Sequence, residues 1–183
     1  MEFVRAHPEH DGIVVAHYLA IWESYGTAPD HLRSHPEEIV REFLKVGRAD
    51  YKLASFIAFD GEAAAGSVSC RLNTKAYPTV LKPEHSTEGY IWSVFTKDAY
   101  RGHGVARKLV TMAVDHLQAI GCTSVVLHSS EAGKPLYTGM GFELATEMRL
   151  KFDKMSNISP TPSSNIWPKP RCTLSALRKS SRS

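Results

Sequence analysis

A mixed α/β fold is predicted for this chain, on three observations. Two segments of strand composition, 52–59 and 62–72, face each other across the turn Asp60-Gly61. A strand over 89–96 and another over 124–129 are joined by one amphipathic helix, the arrangement of a parallel βαβ unit. The 183 residues are 43% hydrophobic and 22% charged, which suits one soluble domain with a real core.

The elements follow in order. Residues 2–6 read as a first strand. After Asp11, a plausible N-cap, Val14, Tyr18, Ile21, Trp22 and Tyr25 recur at helical spacing, and Gly26 ends that helix. Ser34-His35-Pro36-Glu37 has the capping-box pattern with Pro in the first turn, and starts a second helix to about Val46. The hairpin 52–72 is antiparallel. A Pro-containing loop (74–88) precedes the β-branched and aromatic strand "GYIWSVFT". The long helix runs to about Ile120 and closes at Gly121. A buried strand at 124–129, a short helix near 133–139 and a final strand from Phe142 to Phe152 complete the pattern.

Charge divides the chain in two. Residues 156–183 hold Lys169, Arg171, Arg178, Lys179 and Arg182 with no acid, and removing those five charges from a net +3 leaves residues 1–155 at −2. The domain is therefore assigned to 1–155, and the Ser/Pro-rich basic stretch 156–183 reads as a disordered tail. A domain without basic excess speaks against a nucleic-acid partner. No apolar run is long enough for a membrane span, and none follows a basic start as in a secretion signal. Cys70, Cys122 and Cys172 stand at no metal-like spacing. They suggest a reducing compartment, and the cytoplasm is the expected location.

The chemistry starts at "AYRGHGVARKLV" (99–110). Gly102, His103 and Gly104 open a helix whose first N–H groups have no partners, and glycines let a phosphate approach them. The dinucleotide fingerprint G-x-G-x-x-G fails because Arg107 stands at its last position, and no Gly-Lys-Ser/Thr makes a P-loop. A tight turn that merely starts a helix is the alternative.

Arg101-Gly102-His103-Gly104-Val105-Ala106 resembles the R/Q-x-x-G-x-G/A signature of the GCN5-related N-acetyltransferases (GNAT), in the same strand–helix context. "EAGKPLYTGMGFE" (131–143) resembles their second signature, and the resemblance covers about residues 2–152. It implies a mostly antiparallel mixed sheet, flanked by helices, whose central parallel pair splays to hold acetyl-CoA. It further implies pantetheine pairing along Val94, Phe95 and Thr96. The pyrophosphate would rest on the N–H groups of Arg101, Gly102, His103, Gly104, Val105 and Ala106. Arg101 and Arg107 add charge there or form surface salt bridges. No metal and no covalent intermediate are implied: an amine attacks the thioester directly.

Tyr137 matches the family's general acid, with a core tyrosine beside Leu136 as the alternative. The base is open between His128, which has a suitable ordinary pKa, and a water held by Ser93 or Glu88. By the same resemblance the acceptor meets Ser24 to Ser34, the 74–88 loop and residues 143–151, with Glu23 or Asp30 drawing a cationic amine. A small-molecule primary amine ranks first, before a protein or peptide amine and before a non-catalytic acyl-CoA-binding module. A monomer or homodimer is expected. The family's seventh strand has no counterpart after Phe152, so it is missing, supplied by a partner, or hidden in 142–152.

Overall fold

The computed structural model describes residues 1–150. Nine regular elements follow one another: β1 (Glu2–Arg5), α1 (Asp11–Ser24), α2 (Pro36–Asp50), β2 (Ala54–Asp60), β3 (Ala63–Leu72), β4 (Glu88–Thr96), α3 (Val105–Ala119), β5 (Ser124–Leu127) and α4 (Lys134–Thr138). The strands form one sheet in the order β1-β2-β3-β4-β5. The first three pairings are antiparallel, and β4 and β5 run parallel, as the βαβ unit requires.

Each face of the sheet has its own apolar cluster. On one face, Leu109, Val110, Ala113 and Leu117 of α3 are fully buried against Val68, Cys70 and Ile91. Burying a leucine that completely stabilises by about 1.5–3 kcal/mol. The Cys70 thiol, pushed up to about 12 by burial, behaves there as a small apolar group. On the other face, Val14 and Val15 of α1 and Leu44 of α2 cover Leu53 and Ile57.

Three local expectations are corrected. The buried positions of α1 are Asp11, Val14, Val15 and His17, whereas Trp22 and Tyr25 are 41% and 64% exposed. The aromatic repeat therefore marks an exposed edge of α1. Asp11 lies inside the helix, where its carboxylate pairs with Arg48 of α2. The second helix starts from His35, whose φ of 54° is left-handed, with no side-chain cap, and it continues to Asp50. Third, residues 142–150 hold no strand. Their alternating Leu144, Met148 and Leu150 are 88%, 94% and 77% exposed, so no face is buried to hold an extended segment. Residues 151–152 of that expected strand, and the whole 156–183 tail, lie outside the described residues.

Met1–Leu144 is one compact unit. Of the remainder, residues 145–150 are described, and there Arg149 Nη2 bonds Glu147 Oε1 at 2.7 Å. No helix among the described residues is long and apolar enough to cross a membrane.

Candidate active site

The site originates in a defect in β4. Its pairing with β5 runs from Glu88↔Ser124 to Ile91↔Leu127 and stops, while β4 continues to Thr96. Its pairing with β3 shifts between Ser67 and Ser69, which leaves one extra residue on β4. Ser93 is that residue: its φ is 55°, a conformation L-residues rarely adopt outside turns and strained sites. Such a bulge bends the strand. Beyond it, among the described residues, Val94, Phe95 and Thr96 keep β3 on one edge and have no strand on the other.

The open half of β4 is braced from behind. His17 of α1 is buried, its Nδ1 lies 2.9 Å from Ser67 Oγ, and its ring lies 4.6 Å from that of Phe95. Burial first, and then the positive charge of Lys97, lower the His17 pKa to about 4, so the imidazole is neutral near pH 7.

Past Thr96 the chain reaches the glycine turn. Gly102 and Gly104 have φ of 79° and 78°, and a Cβ on either would meet nothing within 4 Å. Glycine is thus needed for the turn conformation, and the turn faces open space. Gly104 caps α3 and Val105, 2% exposed, anchors its first turn. The unpartnered N–H groups of that turn and the positive helix end favour an anion there. The open strand edge, the open glycine turn and the helix end together fit the pantetheine arm and pyrophosphate of acetyl-CoA.

The two arginines of the signature are engaged with protein oxygens. Arg101 Nη2 pairs with Asp98 Oδ1 at 2.9 Å, and its Nε donates to the Thr96 carbonyl at 3.2 Å. Arg107 Nη1 donates to the Gly139 carbonyl at 3.1 Å, which ties α3 to the end of α4.

Tyr137 of α4 is half-buried, packed at 5.8 Å edge-to-face on Phe142. Its pKa is raised, by burial first and then by Tyr25. A phenol held above its ordinary value stays protonated, as a proton donor must.

The base candidates separate. His128, exposed and just past β5, has Nδ1 2.6 Å from Tyr90 Oη on β4. Glu88 lies at the far end of β4, its Oε1 accepting from Asn73 Nδ2 at 2.6 Å. The Ser93 hydroxyl is buried without a partner among the described residues, as is that of Thr96. Sequence reasoning missed Tyr90. Period-two alternation on β4 was the available signal, because it puts Tyr90 on the face of Trp92, with which it stacks at 6.2 Å.

The Acetyltransferase (GNAT) family model matches residues 5–142, and the chain belongs to that family of acyltransferases. N-alpha-acetyltransferase 30 of Saccharomyces cerevisiae (strain ATCC 204508 / S288c) is 42% identical over 57 residues, 30% of this chain and 32% of that protein. Glucosamine 6-phosphate N-acetyltransferase of Trypanosoma brucei brucei is 34% identical over 65 residues, 36% of this chain and 44% of that protein. The chain thus spans less than half the length of either relative. Among solved structures, a predicted acetyltransferase of Clostridium acetobutylicum with acetyl-CoA superposes with a TM-score of 0.70. That pair is 18% identical, over 83% of this chain and 95% of the other, so the likeness is one of fold.

Proposed function

We propose that this chain transfers the acetyl group of acetyl-CoA directly to the primary amine of a small molecule. The observation that carries the reading is the open edge of β4 from Val94 to Thr96, ending at the Gly102–Gly104 turn. Acetyl-CoA supplies a thioester carbonyl and a thiol leaving group. Val94, Phe95 and Thr96 orient it through backbone groups, and the 101–106 turn with Arg107 takes its phosphates. Arg101 contributes by fixing the turn through Asp98 and the Thr96 carbonyl.

His128 removes the proton from the attacking amine. In the tautomer whose Nδ1–H donates to Tyr90 Oη, Nε2 is the basic atom, and the hydrogen bond steadies the ring as it becomes charged. Tyr137 gives its proton to the sulfur as the C–S bond breaks, so one proton is taken and one returned. Ser93 supports the reading through its backbone, by opening the gap. The domain is 1–155, and the cytoplasm is the location that the cysteine usage supports.

The acceptor rests on the wall formed by the exposed edge of α1, the 24–34 loop and the Tyr90–Trp92 face of β4. An N-terminal peptide amine is the second reading, favoured by the activity of the yeast relative. The deciding experiment is a screen of small amines and short peptides with acetyl-CoA, following release of free thiol. Turnover of peptides alone would reject the first reading, and no turnover anywhere would reject both.

A further inference from the structure

The described residues hold two half-buried arginines, Arg48 and Arg71, and their surroundings differ. Arg48 forms a bidentate pair with the Asp11 carboxylate. Arg71, on β3, makes neither a hydrogen bond nor an ion pair among the described residues. Its guanidinium carbon instead lies 4.7 Å from the ring centroid of Phe43 and 4.7 Å from that of Tyr51. Rings engage the faces of a guanidinium and leave its in-plane N–H donors open. Arg71 is only partly buried and none of its nitrogens is a buried unpartnered atom, so those donors can be reached from solvent.

The position of Arg71 gives those donors a use. It stands directly opposite Tyr90 in the β3–β4 register, on the face that carries Trp92. Residues opposed in an antiparallel pair have Cβ atoms about 5 Å apart. Tyr90 in turn reaches His128 at 2.6 Å. Phe43 of α2, edge-to-face on Trp92 at 5.8 Å, closes the group. Glu88, two residues before Tyr90 on β4, is bound to Asn73 and makes no ion pair with Arg71 among the described residues. A rigid guanidinium with free donors beside the proton-accepting pair is a receptor for an oxyanion.

We propose that Arg71 binds a carboxylate or phosphate carried by the acceptor a few bonds from its amine, so that the enzyme selects amines that are also acids. This rests on the acetyl-transfer reading for its place beside His128, and it adds the charge of the substrate. The anionic group has two possible sources, a free small molecule and the acidic first residue of a peptide.

The test compares matched amines: L-phenylalanine with L-phenylalaninamide, glucosamine 6-phosphate with glucosamine, and a peptide starting in Glu with one starting in Gln. Each is assayed for thiol release and titrated calorimetrically against the full chain loaded with CoA. The anionic member of at least one pair should be favoured about tenfold or more, the loss expected for a charged hydrogen bond. Which pair shows it identifies the source. Arg71→Gln should reduce that preference to within about twofold through KM, with acetyl-CoA affinity unchanged, and Arg71→Lys should restore part of it. The proposal is overturned if no anionic member is favoured in either assay, or if Arg71→Gln keeps the preference. Absent turnover with an intact binding preference would instead reject the acetyl-transfer reading.

Discussion

From Gly89 to Ile91, β4 has a strand on both edges, whereas from Val94 to Thr96 only β3 lies beside it among the described residues. The paired half presents side chains, with Tyr90 and Trp92 on one face and Ile91 in the core on the other. The open half presents backbone, and the glycine turn beyond it does the same. In the proposed reaction one strand meets two ligands in two ways: the cofactor through N–H and C=O groups that any sequence has, the acceptor through side chains that only this sequence has.

Four measurements would break or sharpen that contrast, and Tyr137 carries the largest effect. Tyr137→Phe removes one oxygen and keeps the ring on Phe142, so melting temperature and acetyl-CoA affinity should hold. Its kcat should fall by about 10²–10⁴, the usual contribution of a positioned acid. A fall below about threefold, with chemistry rate-limiting, would make Tyr137 a packing residue.

Next is the brace behind the open half. The folded pKa of His17, about 4, lies below the ordinary 6.5. As pH drops, the unfolded chain therefore takes up this proton first. The stability due to His17 is complete above about pH 6.5 and is lost between 6.5 and 4, with a limit of about 3 kcal/mol. Urea unfolding at pH 7 and pH 4.5 should show a smaller acid loss in His17→Gln than in wild type. Equal losses in the two proteins would remove His17 as the source.

Gly104→Val should weaken acetyl-CoA binding by about 10–100-fold, because a branched side chain fills the open space over the turn. The left-handed φ adds a stability cost of about 1–2 kcal/mol. Calorimetry with unchanged affinity would mean that the phosphates lie elsewhere. Tyr90→Phe is the mildest. It removes one hydrogen bond to His128, so kcat should drop by about fivefold and the basic group in its pH profile should shift. A profile identical to wild type would detach Tyr90 from proton transfer.

The same contrast explains what the sequence made legible. The cofactor side is built from glycines and strand ends, which leave a fixed spacing in the chain, and Arg101 to Ala106 displays it without any tertiary information. All five strands and the four α-helices could be placed, the longer ones because each has a buried face, as Leu109, Val110, Ala113 and Leu117 give α3. The stretch 144–150 has the alternation of a strand, and its Leu144, Met148 and Leu150 are exposed among the described residues, a fact that only tertiary structure supplies. On the acceptor side, Tyr90, His128, Arg71 and Phe43 come from four separate elements. No local spacing links them, so only His128 was singled out. The arginines show a finer limit. Arg101 was expected at the phosphates or in a surface pair, and its geometry favours the pair, which depends on Asp98 taking up one side-chain orientation.

Ser93 also sets the parity of everything after it. Counting by twos from Tyr90 and Trp92 would bring Val94 to the α1 side, yet Val94 packs with the α3 cluster and Phe95 meets His17. The extra residue delays the alternation by one step, much as an inserted letter shifts a reading frame. Deleting Ser93 would restore plain alternation from Trp92 through Val94 to Phe95, with Val94 still on the α3 side and Phe95 still against His17. The deletion would therefore remove the bulge that bends the strand while keeping both of its faces. Length at this point matters more than chemistry, and a substitution at 93 should preserve acetyl-CoA binding far better than a deletion.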